Sequence, residues 1–226
     1  MMAIVPALAF SGRAQQLARA AIHLPGGVRI ESKPISFDQE RIELTIAYRR
    51  LHQDPAAHDI IIQPRMIILH WTGIGSFSST WNYFNRTRAE AERRELAAAG
   101  EVNVSSQFLV DRDGTIYRLM PETWMARHCI GLNHVAIGIE NVGDGDKLPL
   151  TEAQVKADAA LVRYLTAKYP IRYLIGHHEY RQMESTPLFL ELDPKYRNTK
   201  PDPGADFMRQ VRALVADLKL HGPPEP

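Results

Sequence analysis

The stretch Met66-Ile-Ile-Leu-His-Trp-Thr72 constrains this chain more than any other. Ile67, Ile68 and Leu69 run without interruption into His70, and the chain then turns through Thr72-Gly73-Ile74-Gly75-Ser76. A short continuous apolar run closed by Gly and Ser reads as a buried strand. His70 then stands at the C-terminal end of that strand, where a rigid element hands over to a loop. A metal or a substrate is easily reached there, and the rest of the chain can be searched for partners of that imidazole.

The neighbouring stretches supply a sheet and its helices. Residues 37–51 repeat apolar side chains at helical spacing, up to a stop at Asp54-Pro55. A capped short helix is expected over 78–84, and the Ala-rich, charged residues 87–99 favour a solvated helix by propensity. Two alternating segments flank Asp111-Arg-Asp-Gly114, a hairpin signal because Gly accepts the positive φ of the turn. A loop over 121–133 leads to a strand over 134–140, in which Gly138 implies close approach to the backbone. Thr151-Glu-Ala-Gln154 fits a capping box that opens a helix stopped near Pro170. Tyr173-Leu-Ile-Gly176 is another strand, 180–205 reads as irregular, and 206–218 as a final helix. Alternating strands and helices with a hairpin in the middle favour an α/β fold, a mixed central β-sheet with helices on both faces.

The 226 residues suffice for a single domain with a full core. The expected organisation is an N-terminal extension over 1–36, a main domain over 37–220 and a tail over 221–226. The extension contains the turn signal Pro25-Gly26-Gly27 and an apolar run over 2–10 with the small-residue pattern Ala7-Leu8-Ala9. No Lys or Arg precedes that run, so a clipped signal and a loose tail both remain open. The balance tilts toward a periplasmic or secreted protein, with the cytoplasm as the alternative. A formal net charge of +1 gives no basic footprint for nucleic acid. No apolar run approaches the ~18 residues of a membrane span. Cys129 is the only cysteine, which excludes an intrachain disulfide.

The polar groups expected at strand ends and tight loops are His70, Glu140, His177 or His178, and Asp202. A catalytic zinc site has three N, O or S protein ligands and keeps one position open. His70, one histidine of the pair and Asp202 would make such a set, with Glu140 as the base. Spacing alone is weak support, since no HExxH or CxxC motif is present.

Six motifs taken together carry more. Ile67-Ile-Leu-His-Trp-Thr72, Ser106-Gln-Phe-Leu-Val-Asp-Arg-Asp-Gly114, Arg127-His128, Ala136-Ile-Gly-Ile-Glu140, Ile175-Gly-His177 and Lys200-Pro-Asp-Pro-Gly204 follow one another in a fixed order. That order resembles the type-2 N-acetylmuramoyl-L-alanine amidases, zinc enzymes related in fold to peptidoglycan recognition proteins. The resemblance covers residues 60–215. It implies zinc held by His70, His177 and Asp202, an acid/base Glu140, and Lys200 stabilising the tetrahedral oxyanion. It implies peptidoglycan or a muropeptide as substrate. The rival readings are a non-catalytic peptidoglycan-binding module and a zinc hydrolase of another peptide amide.

Several residues keep two readings at this level. Strand alternation puts His177 on the side of Ile175 but does not by itself choose between His177 and His178; the family motif favours His177. Trp71 and Trp124 are substrate-stacking surfaces or core aromatics. Arg127 binds a substrate carboxylate, which suits a guanidinium fork, or pairs with a surface acid. His128 lines the substrate groove or closes a loop hydrogen bond. Gln107 stands where many relatives carry His, which bears on substrate contacts rather than on catalysis.

Overall fold

The computed structural model describes residues 21–224. The apolar run over 2–10 lies outside them. The buried run around His70 is strand β3 (Met66–Trp71), placed between β6 (Ala136–Asn141) and β7 (Tyr173–Gly176) and parallel to both. The other strands are β1 (Ile22–His23), β2 (Arg29–Ser32), β4 (Phe108–Val110) and β5 (Ile116–Arg118). They make one mixed seven-stranded sheet in the order β1-β2-β5-β4-β6-β3-β7. β4 and β5 form the antiparallel hairpin around Asp111–Gly114, while β4 joins β6 in parallel.

Strand alternation divides the core into two sides. Ile67, Leu69, Ile137, Ile139 and Leu174 face α4 (Glu152–Lys168) and α5 (Ala205–Leu214), whose apolar stripes supply Val155, Leu161, Val162, Leu165, Met208 and Val211. Met66, Ile68, Ala136 and Ile175 face the other way and pack against Ile130, Leu132, Tyr180 and Met183. That second side also carries α1 (Gln39–His52) and α2 (Phe77–Asn85), so helices cover both faces. Capping fixes where the helices start. Asp38 accepts from the Arg41 amide at 2.9 Å, Ser76 caps α2, and Thr151 and Gln154 form the reciprocal capping box of α4. Among the described residues no helix is long and apolar enough to cross a membrane.

Four expectations need correction. The segment assigned to the extension contributes β1 and β2, and β2 pairs in parallel with β5 around a buried Ile30. Arg-Ile-Glu-Ser buries one apolar side chain, so it shows no alternation to read. The Ala-rich segment over 87–99 is helical only in α3 (Arg94–Ala98), which buries nothing. Short helices without a buried face are marginal, and here Arg88 bridges to Val102 instead. The final helix ends at Leu214 and continues as a separate 3-10 turn, Ala216–Leu218. His221, assigned to the tail, bridges to Tyr173 at the sheet edge, and the Leu174 amide donates to its carbonyl at 2.9 Å.

Candidate active site

His70 and Glu140 are register partners on adjacent parallel strands, so both side chains project from the same face at the same end of the sheet. His177 begins the 3-10 helix (His177–Ser185) that follows β7. Asp202 comes from the loop before α5, between two prolines that limit its backbone. Three chain segments thus converge on one point. His70 Nδ1 lies 2.9 Å from His177 Nδ1 and 3.2 Å from Asp202 Oδ2, and His177 Nδ1 lies 3.0 Å from Asp202 Oδ2. All three residues are buried and form a group able to hold a metal ion. A tetrahedral divalent metal bound through N and O at ~2.0–2.2 Å sets its ligand atoms ~3.3 Å apart. The observed separations fit that edge.

The electrostatics suit the same purpose. Burial, with the neighbouring His70, pushes His177 down to about 4, so its imidazole is neutral and offers a lone pair. Burial alone would raise Asp202. The charge that His177 takes up in acid and its hydrogen bond, with His70, outweigh it and hold the carboxyl well below the usual carboxylate range. Burial drives Glu140 well above the ordinary carboxylate value; Asp202 adds to the rise and Lys200 opposes it. Glu140 Oε2 is buried with no hydrogen-bond partner among the described residues. It is a carboxyl of raised basicity with one oxygen uncommitted.

His178 is not part of the group. Its amide donates to the Asp202 carbonyl at 2.7 Å, and its Nδ1 lies 3.1 Å from the same oxygen. It fixes the loop that presents Asp202. A Cβ at Gly176 would meet the His178 ring at 2.7 Å, so this arrangement needs the glycine.

His70, Glu140, His177, Asp202, Lys200, Trp71, Arg127 and His128 all line one cleft of about 490 Å³. They differ in how committed they are. The Arg127 guanidinium donates to the carbonyls of Gly100 (2.9 Å), Val102 (2.6 Å) and Leu96 (2.8 Å) and to the Tyr196 hydroxyl (3.2 Å). It is buried and stacked on Tyr48, so it neither pairs with a surface acid nor has a free fork for a substrate carboxylate. It holds the cleft wall together. Trp71 is wedged between loops: a Cβ at Gly145 would come within 1.9 Å of its ring, and one at Gly204 within 3.7 Å. Trp124 lines a separate cleft of about 580 Å³, with Ile35, Phe37, Glu122 and Lys168. Gln107 is fully buried; it donates to the Trp124 carbonyl at 2.8 Å and accepts from the Gly138 amide at 2.7 Å. It therefore makes no substrate contact.

Sequence reasoning missed the support on the opposite face. Asn141 Nδ2 donates to the His70 carbonyl at 3.2 Å and to Asp158 Oδ2 at 2.9 Å, tying the end of β3 to β6 and to α4. The available signal was an acidic residue on the core-facing stripe of α4, between Val155 and Val162. Burial pushes Asp158 up to about 8, against the lowering effect of the Asn141 bond. Between an unfolded value near ~3.9 and that folded value, the native state holds a proton that the unfolded state lacks. The associated stability is fully present below the unfolded pKa and is lost as pH rises toward 8. Asp158→Asn carries no charge at any pH. It is expected to match wild type in urea unfolding near pH 3.5 and to exceed it by a margin that grows by roughly 1.4 kcal/mol per pH unit as pH rises toward 8. Parallel pH profiles for the two proteins would count against a buried, proton-holding Asp158.

Comparison with known proteins adds family membership to this geometry. The family model described as N-acetylmuramoyl-L-alanine amidase matches residues 62–205. The 1,6-anhydro-N-acetylmuramyl-L-alanine amidase AmpD of Salmonella typhimurium is 30% identical over 168 residues, 68% of this chain and 82% of the relative. The endolysin of Escherichia phage T7 is 34% identical over 85 residues, 35% of this chain, and the match spans only 56% of that relative's length. The endolysin amidase LysCS from Clostridium intestinale URNW shares the fold, with a TM-score of 0.52 at 21% identity over 88% of this chain and 99% of that one. The chain belongs to the N-acetylmuramoyl-L-alanine amidase family and is an enzyme of that family.

Proposed function

We propose that this protein is a zinc-dependent amidase that hydrolyses the amide between N-acetylmuramic acid and L-alanine in peptidoglycan or its soluble fragments. The observation that carries the reading is the convergence of His70, His177 and Asp202 inside the segment matched by the family model. A set of two borderline imidazole nitrogens and one carboxylate oxygen suits zinc and leaves room for a fourth position.

Bound zinc would supply Lewis acidity and lower the pKa of water toward ~7. The chain's own residues do the rest. Glu140 takes a proton from the attacking water as the water oxygen bonds to the lactyl carbonyl carbon. It then delivers that proton to the L-alanine nitrogen as the C–N bond breaks. Lys200, which lines the same cleft, would set positive charge near the carbonyl oxygen where negative charge grows, an effect worth a few kcal/mol in comparable sites (~3). Trp71 and the cleft wall around Arg127 bound the space open to the glycan and stem peptide.

The Salmonella relative's name specifies a 1,6-anhydro muropeptide, so soluble anhydro-muropeptides and intact sacculi are the two substrates to compare. Mass spectrometry of each digest, with and without chelator, is expected to show free stem peptide only in the metal-replete sample. A protein that binds zinc and releases no stem peptide from either substrate would be a binding module instead.

A further inference from the structure

We propose that His128 is a positioning residue for the metal. Its Nδ1 accepts the Nε2–H of His70 and so keeps His70 in the tautomer whose Nδ1 lone pair faces His177 and Asp202. The inference rests on the metal reading above and goes beyond it, since it assigns His128 to the metal and not to the substrate groove.

The argument starts from which nitrogen of His70 is used. Nδ1 is the atom that meets His177 and Asp202, at 2.9 and 3.2 Å. A ligand nitrogen must be free of its proton, so a neutral His70 that binds metal carries the proton on Nε2. That Nε2 lies 3.0 Å from His128 Nδ1, with the two rings edge to face at 88°. His70 is buried, so no bulk water replaces this acceptor.

The competing tautomer is a real rival. Asp202 Oδ2 is itself within hydrogen-bond distance of His70 Nδ1 and would draw the proton onto that atom. With the proton there, the lone pair needed for the metal is gone. His128 pulls from the other edge of the ring. An acceptor at Nε2 stabilises the useful tautomer, which is the part played by outer partners of metal-binding histidines in general.

The fold holds His128 where this role requires it. The amides of His128 and Cys129 both donate to Asn133 Oδ1, at 2.9 and 2.8 Å. The ring then lies flat on β6 at Gly138, where any Cβ would stand 2.8 Å from its Cγ. The close approach that Gly138 implies in the sequence is therefore the approach of this ring. His128 is not a fourth ligand, because its Nδ1 faces His70 Nε2 and it stands outside the metal-holding group.

The test is zinc affinity of the metal-depleted protein, measured against a competing fluorescent chelator, for wild type, His128→Leu and His128→Asn. The leucine removes the acceptor; the asparagine keeps an oxygen close to where Nδ1 stood. His128→Leu is expected to bind zinc about 10–100-fold more weakly, and His128→Asn to recover most of that loss. A second readout needs no metal: the 15N shifts of the His70 ring in zinc-free wild type are expected to report a proton on Nε2. Equal zinc affinity for wild type and His128→Leu overturns the inference, as does an asparagine variant no better than the leucine, or a wild-type His70 protonated on Nδ1. If His128→Leu does not fold, the asparagine variant and the wild-type spectrum decide. Wild type that binds no zinc overturns the metal reading and this inference together; wild type that binds zinc beside an unimpaired leucine variant overturns this inference alone.

Discussion

Glu140→Gln is expected to lower kcat for stem-peptide release by about 10²–10⁴-fold, the usual contribution of a positioned general acid–base, while leaving zinc affinity close to wild type. The substitution keeps size and removes only the ability to take a proton. Three features single out this carboxyl. It stands directly across from His70 in the β3–β6 register. Its Oε2 is buried with no hydrogen-bond partner among the described residues, so that oxygen is uncommitted. Burial and Asp202 raise its pKa, with Lys200 opposing, which makes it a stronger base than an exposed glutamate. Single-turnover hydrolysis of a muropeptide by both proteins, with zinc content matched, is the measurement. A glutamine variant that keeps a tenth or more of the rate would remove Glu140 from the proton-transfer role.

Asp202→Ala is expected to weaken zinc binding by more than the ~10–100-fold that loss of an outer partner costs. Asp202 supplies the only negative charge in the set, next to two imidazoles. Its low pKa means that the anion persists through the physiological range, ready for a cation. The loss can be read from stability as well as from affinity. Zinc at 100 times its Kd adds about 2.7 kcal/mol to a protein that binds it only when folded, and each kcal/mol moves the Tm of a domain this size by roughly 2–4 °C. Wild type is therefore expected to melt several degrees higher with zinc, and Asp202→Ala to melt at one temperature with or without it. A zinc-dependent shift that survives in the variant would mean that the ion sits elsewhere.

What could be read in advance follows from how locally each feature is encoded. β3 and β6 are continuous apolar runs, the β4–β5 turn has its Asp-Gly, and α4 carries its own capping box; each signal lies within a few residues of the element it specifies. β2 was missed because it buries little beyond Ile30 and borrows its order from β5. The same limit applies at the site. Alternation puts His177 on the face of Ile175, yet it cannot say that the chain turns at that point and sends His178 to the Asp202 carbonyl. Arg127 reads as a fork for an anion, but its acceptors are main-chain carbonyls of Leu96, Gly100 and Val102. Every residue has a carbonyl, so no pattern of side chains announces that arrangement. Gly138 was the exception, because a glycine inside a strand points to a close neighbour even when the neighbour is unknown.

The separation of the metal-holding residues along the chain decides what an ion can do for this protein as it folds. His70 stands 107 positions from His177 and 132 from Asp202. Both gaps must close before any ion meets three donors at once, and closure of such long loops costs entropy ahead of the contacts that reward it. β3, β6 and β7 have to be side by side first. An ion held by these three residues would therefore arrive at a sheet already assembled and would serve as a latch, not as a seed. Its addition is expected to leave the refolding rate unchanged and to slow unfolding, as for an interaction formed only after the transition state.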